Sequence, residues 1–162
     1  MIRPAIKVLL VDDEKQFVTN MARILKVRGF DVSTAFDGYQ AVDAVKYGGG
    51  FDVVVLDVKM PGLDGLETLR RIKAMHPLVE TIMLTAHATV ATAVEAMHIG
   101  ARDYLMKSCD VVELIAKVEV AARRKRDRES KILDVRMRTV HYRPRKGRVD
   151  CRHFGFIVFC PG

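Results

Sequence analysis

The residues with the clearest chemical potential in this chain are acids. Asp12 and Asp13 follow the apolar run Val8-Leu9-Leu10-Val11, and Asp57 follows Val53-Val54-Val55-Leu56. Thr85 and Lys107 stand in the same place, just past the later runs 81–84 and 103–106. Three carboxylates brought to one spot repel each other. At ~4 Å each pair costs about 1 kcal/mol in water and several-fold more at an effective dielectric near 20. A hard divalent cation offsets that repulsion, and oxygen ligands with retained waters select Mg²⁺, with Mn²⁺ as a substitute. Lys107 is a second source of positive charge. A cation on Asp12, Asp13 and Asp57 keeps open positions for phosphoryl oxygens, and Lys107 and the Thr85 hydroxyl can hold the rest. One carboxylate is then free to attack phosphorus in line and form an acyl phosphate. Positioning and charge neutralisation are most of what phosphoryl transfer asks of a protein. Taken singly, the residues have ordinary readings: Asp12 or Asp13 as a helix N-cap, Thr85 as a turn residue, Lys107 as a solvated charge. Asp57 is less ordinary, because a carboxylate ending a buried strand rarely lacks a partner.

For these residues to meet, the runs that precede them must lie side by side. Apolar runs recur at 6–11, 32–36, 51–56, 81–84 and 103–106, each four to six residues long and rich in Val, Ile or Leu. Continuous rather than alternating hydrophobicity fits strands buried on both faces, as in a parallel sheet. Helical spacing fills the gaps. In 16–28, Phe17, Met21, Ile24 and Leu25 form a stripe, with Gly29 placed to end it. Segments 38–46, 64–75, 89–99 and 110–122 read likewise. Asp64 with Glu67, Thr89, and Asp110 with Glu113 supply start signals. Five β–α pairs imply a parallel sheet with helices on both faces, because right-handed crossovers put them there. In such a sheet the functional crevice lies at the carboxyl ends of the strands. The five polar residues stand there in strand order.

The formal charge of +7 over 162 residues suggests a nucleic-acid or acidic partner until it is divided along the chain. Residues 1–122 hold 14 Lys and Arg against 16 Asp and Glu, a net of −2, whereas 123–162 hold 13 against 4, a net of +9. The basicity belongs to the last quarter, which marks a domain over 1–123 and a basic helical linker or tail over 124–162. No run reaches the ~18 apolar residues of a membrane span, and the short N-terminal apolar stretch stops at Asp12-Asp13-Glu14, so the chain reads as cytoplasmic without membrane contact. Cys109, Cys151 and Cys160 are too few and scattered for a disulfide scaffold.

The stretch Val8-Leu9-Leu10-Val11-Asp12-Asp13-Glu14 resembles the start of a response-regulator receiver domain. Leu56-Asp57-Val58-Lys59-Met60-Pro61-Gly62-Leu63-Asp64-Gly65 resembles that family's phosphoacceptor segment. Leu84-Thr85-Ala86-His87 and Ala101-Arg102-Asp103-Tyr104-Leu105-Met106-Lys107 complete the set, from about Ile6 to Arg123. The stretch 85–100 is most similar to receivers of the nitrogen-regulation type. The resemblance implies a three-layer flavodoxin-like (βα)5 fold with strand order 2-1-3-4-5. It implies a phosphoprotein of a two-component phosphorelay, a signalling switch rather than an enzyme. Asp57 would accept the phosphoryl group from a sensor histidine kinase or a histidine phosphotransfer protein. By position, Asp12, Asp13, Asp57 and the backbone carbonyl of Lys59 would bind Mg²⁺, and Lys107 would contact the phosphoryl group. Thr85 and Tyr104 would be the switch pair, altering a surface over 89–99, 103–106 and 110–122 that binds a downstream effector or a second copy. Lys59 and His87, each two places beyond a site residue, would tune phosphoryl lifetime.

The chain departs from the family pattern at Ser108, where the pattern has Pro after the lysine, usually joined by a cis bond. A cis bond before a non-Pro residue costs about 2.5–4 kcal/mol, so loop 107–110 either carries strain or takes a trans path. Cys109 reads as a small, partly buried residue. Residues 123–131 extend the helix begun at Asp110, and Ile132, Leu133, Val135 and Met137 form an apolar stripe too interrupted for a coiled coil. Arg136, Arg138, Arg143, Arg145, Lys146 and Arg148 leave open an alternative function, a DNA-binding transcriptional regulator acting through the tail by counterion release. His141, Cys151, His153 and Cys160 match no standard zinc spacing. Phe154-Gly-Phe-Ile-Val-Phe159 is an apolar end without a functional account. Enzymes on similar sheets are disfavoured. Asp57-Val58-Lys59 lacks the second acid of a dehalogenase-type phosphatase. No flavodoxin-like phosphate loop follows the first strand, and no P-loop is present.

Overall fold

The structure, a computed structural model, describes residues 3–140. Five strands, β1 Lys7–Val11, β2 Asp31–Ala35, β3 Val53–Leu56, β4 Glu80–Thr85 and β5 Asp103–Met106, alternate with five helices. The helices are α1 Lys15–Val27, α2 Gly38–Tyr47, α3 Gly65–Met75, α4 Val90–Ile99 and α5 Val111–Val140. Every strand pairing is parallel and the order is β2-β1-β3-β4-β5, the three-layer flavodoxin-like arrangement.

The continuous hydrophobicity of the strands follows from what covers them. Successive side chains leave a strand on opposite faces. Val8, Leu10, Val53, Val55, Ile82 and Leu84 pack with α1 and α5 on one side of the sheet. Leu9, Val11, Val54, Leu56 and Met83 pack with α2, α3 and α4 on the other. β1 (from Val8), β3 and β4 are therefore buried on both faces. β2, at the sheet edge, exposes Asp31, Ser33 and Thr34.

Helix starts follow local chemistry. The carboxylates of Asp37 and Asp64 accept the N–H groups of Gln40 and Glu67, and the Thr89 hydroxyl accepts that of Thr92. Asp110 accepts the N–H of Val112 at 3.0 Å. Gly29, at φ +90°, closes α1, as its position predicts.

Most boundaries shift by one residue from the sequence expectation, and those of β3, β4 and α5 bear on the site and the tail. β3 begins two residues late, although the Asp52 backbone still donates to the Lys7 carbonyl at 2.8 Å and accepts the Glu80 N–H at 3.2 Å; the Asp52 carboxylate accepts the N–H of Lys7 at 3.0 Å and pairs with Arg126 at 2.8 Å. β4 runs one residue further at each end, so Thr85 is its last residue. α5 continues unbroken through 123, where the sequence divides the chain, and reaches Val140. Beyond 123 it still meets the base of the sheet. Lys125 is buried and lies 3.6 Å from Asp52, while buried Glu80 faces Arg128 at 3.3 Å and Arg124 at 3.5 Å. Ile132, Leu133, Val135 and Met137 are exposed.

Arg143, Arg145, Lys146, Arg148, the His141–Cys151–His153–Cys160 set and segment 154–159 lie outside the described residues. Among the described residues no helix is long and apolar enough to cross a membrane.

Candidate functional site

Sheet register builds the site. Val11 pairs with Leu56, and the Asp57 N–H donates to the Val11 carbonyl at 3.0 Å, so Asp12 and Asp57 leave adjacent strands side by side. Thr85 pairs with Met106, and the Lys107 N–H donates to the Thr85 carbonyl at 2.8 Å. The floor is equally constrained. A Cβ on Gly65 would stand 2.0 Å from the Asp57 carbonyl oxygen and 2.7 Å from the Val58 Cα, so only glycine lets the start of α3 come this close.

Oxygens of Asp12, Asp13 and Asp57 lie within 4.8 Å of one another. Asp12 and Asp57 are buried and Asp13 is exposed. Lys107 Nζ stands 2.6 Å from Asp12 Oδ2 and 3.7 Å from Asp57 Oδ2. Burial, then the neighbouring Asp12 charge, pushes the Asp57 carboxyl above the usual carboxylate range; Lys107 and the N–H groups of Lys59 and Val58 offset this only in part. Burial likewise raises Asp12 against the pull of Lys107. For Lys107, burial favours the neutral amine, but its bonds to Asp12 and Glu14 outweigh that and raise its pKa. Two buried carboxylates that resist ionisation beside one ammonium are an incomplete charge set. The donors are hard oxygens, which fit a small divalent cation of the Mg²⁺ type.

The remaining expected residues fall around this centre. Thr85 is buried, and its hydroxyl accepts the His87 N–H at 3.3 Å. Lys59 and His87 are exposed. Tyr104 is half-buried, and its hydroxyl bonds that of Thr92 at 2.7 Å. The Lys107–Ser108 bond is trans, the alternative left open by the missing proline. Cys109 packs partly against the core, and burial holds its thiol above the ordinary value. Asp12 does not cap α1; its Oδ1 accepts the Glu14 N–H at 2.9 Å in the turn before the helix.

Sequence reasoning passed over four participants. Glu14 Oε1 lies 2.7 Å from Lys107 Nζ, which holds the Glu14 carboxyl below the usual range. The Phe17 ring centre lies 4.9 Å from the same ammonium. Thr92 both closes the cap of α4 and holds Tyr104. Gly65 clears the floor. Glu14 and Phe17 are three residues apart, a spacing that brings an N-cap residue near the third residue of its helix, but Phe17 also fits the apolar stripe and was absorbed by it.

The sequence profile of the response regulator receiver domain matches residues 8–119. The chain belongs to that family. The transcriptional regulatory protein ZraR of Salmonella typhimurium is 40% identical over 121 residues, covering 75% of this chain and 27% of ZraR. A receiver-domain structure from Clostridium thermocellum is 34% identical with a TM-score of 0.71, covering 76% of this chain and 98% of that one. A Burkholderia pseudomallei response regulator, described with a phosphorylated aspartic acid, a calcium ion and citrate, is 28% identical with a TM-score of 0.66, covering 76% and 72%. The receiver therefore spans about a quarter of ZraR, and its likeness to these proteins is that of one domain.

Proposed function

We propose that this receiver is an Mg²⁺-dependent phosphoacceptor and that Asp57 carries the phosphoryl group. The observation that carries the reading is the buried Asp57 carboxylate, held beside Asp12 and Lys107 at the carboxyl end of the central strand. A carboxylate oxygen of Asp57 attacks phosphorus of a phosphohistidine on a sensor kinase or phosphotransfer protein. The P–N bond breaks, and its electron pair returns to the imidazole. Asp12, Asp13, Asp57 and the Lys59 carbonyl would hold Mg²⁺, with Mn²⁺ as a substitute, and the ion when bound supplies charge neutralisation for the transferring group. Lys107 meets the phosphoryl oxygens. The Thr85 hydroxyl moves toward them, and Tyr104 follows by leaving Thr92. This is a local charge change biasing a two-state element, read out on 89–99, 103–106 and 110–122 by an effector or a second copy. The phosphorylated aspartate of the Burkholderia protein supports the same assignment here. The reading places the receiver in the cytoplasm with its phosphodonor.

The test is incubation with Mg²⁺ and a small phosphodonor, followed by intact mass. Wild type is expected to gain one phosphoryl group and Asp57→Asn none. No gain by wild type, or an equal gain by the variant, overturns the mechanism.

A second reading, DNA binding through the basic tail, is favoured by the transcriptional regulators among the relatives. It requires sequence-selective, salt-dependent binding that is lost on truncation near Arg123.

A further inference from the structure

Lys107 lies before Ser108, so no proline restricts the backbone at this lysine. A lysine side chain has four rotatable bonds, and something must aim it. Four groups contact its ammonium: Asp12 at 2.6 Å, Glu14 at 2.7 Å, Asp57 at 3.7 Å and the Phe17 ring at 4.9 Å. Asp12 and Asp57 are the carboxylates that a cation or a phosphoryl group would engage, so they cannot hold Lys107 constantly. Glu14 is exposed, its side chain at 61%, and its attraction is screened by solvent. Phe17 differs from all three. It is half-buried, packs against the core cluster under α1, and lines the same small cavity as Asp12 and Asp57. Its attraction for the ammonium acts through the ring face and survives occupation of the acids.

We propose that Phe17 is a positioning residue for Lys107, its ring seating the ammonium beside Asp12 and Asp57. The inference rests on the phosphoacceptor reading for its kinetic consequence but not for the contact itself. Cation–π attraction at a partly desolvated site corresponds to about a 2- to 30-fold effect. Phe17→Leu keeps apolar packing and loses the ring. Phe17→Tyr keeps both.

The experiment uses the full chain, with circular dichroism melts checking that each variant folds. Phosphoryl uptake is measured at fixed acetyl phosphate and Mg²⁺. Phe17→Leu is expected to slow uptake about 2- to 30-fold, and Phe17→Tyr to retain the wild-type rate within about 2-fold. In a Lys107→Met background, Phe17→Leu should cause no further loss. A second measurement is the proton spectrum of Lys107. Its ε-methylene resonance should be shifted upfield by the ring in wild type and in Phe17→Tyr, and return to the ordinary position in Phe17→Leu. A purely structural role predicts equal slowing in both Lys107 backgrounds, and that result overturns the proposal, as does an unshifted Lys107 resonance. Wild type that shows the shifted resonance but takes up no phosphoryl group refutes the phosphoacceptor reading and leaves the contact standing.

Discussion

Removing the Asp57 charge should make the metal-free receiver more stable. The Asp57 carboxylate has oxygens within 4.8 Å of both Asp12 and Asp13. At that distance each like-charge pair costs about 0.9 kcal/mol in water and about 3.5 kcal/mol at an effective dielectric of 20. Lys107, 3.7 Å away, returns about 1.1 to 4.5 kcal/mol on the same scale. One attraction therefore offsets roughly one of two repulsions, and burial adds to the remainder. Lys107 loses little when Asp57 is neutralised, because Asp12 and Glu14 are its nearer partners. Asp57→Asn is thus expected to stabilise the metal-free protein by about 1–2 kcal/mol, a rise in Tm of about 2–8 °C. Thermal unfolding in a chelator at pH 7 measures it. The pH dependence fixes the cause. The folded Asp57 carboxyl has its pKa raised above the unfolded value, so the folded state binds more protons. Its favourable contribution is complete below about pH 4 and is lost as pH rises through the folded pKa. The gap between variant and wild type should be near zero in acid and open toward neutrality. Mg²⁺ should then narrow it, because the ion stabilises wild type more. A variant no more stable than wild type at pH 7 without metal, or a gap that does not change with pH, would refute the electrostatic reasoning.

Gly65→Ala should cost about 1–3 kcal/mol or more and lower phosphoryl uptake, because the new methyl meets the backbone of Asp57; denaturant unfolding and intact mass report the two effects. Thr92→Val should cost about 1–2 kcal/mol by removing the α4 capping box and the Tyr104 bond, whereas Thr92→Ser should stay within about 0.5 kcal/mol in the same melts. Glu80→Gln should cost about 1–3 kcal/mol and speed amide exchange over 124–140, because this buried acid faces Arg124 and Arg128.

The strand-end residues were legible because a parallel sheet makes position along the strand equivalent to position in space. Four of the five apolar runs, the first followed by two acids and the others by one polar residue each, sufficed to gather Asp12, Asp13, Asp57, Thr85 and Lys107. Contacts that depend on a side chain's path were not legible. Tyr104 is an apolar-run residue in the sequence, and nothing near it in the chain points to Thr92, twelve positions away. Glu14 and Phe17 had a signal in their i, i+3 spacing, but the hydrophobic period claimed Phe17 first. Gly65 looked like part of a turn. Its need for close approach exists only once α3 lies against the end of β3.

The charge asymmetry changes meaning for a similar reason. The positive excess after Ala122 invites an external anionic partner, yet its first members are occupied within the molecule. Arg126 donates to the carbonyls of Pro4 and Ala5 and pairs with Asp52, and Lys125 is buried between Asp52 and Glu129. Arg124 and Arg128 face Glu80. Asp52 and Glu80 stand at the start of β3 and β4, the opposite end from Asp57 and Thr85. The two ends of the sheet thus solve the same electrostatic problem differently. At the lower edge, buried acids are satisfied by fixed cations from α5, which couples that helix to the sheet. At the upper edge, Asp12, Glu14 and Asp57 share one lysine beside Asp13, leaving a deficit of positive charge that a mobile cation can fill.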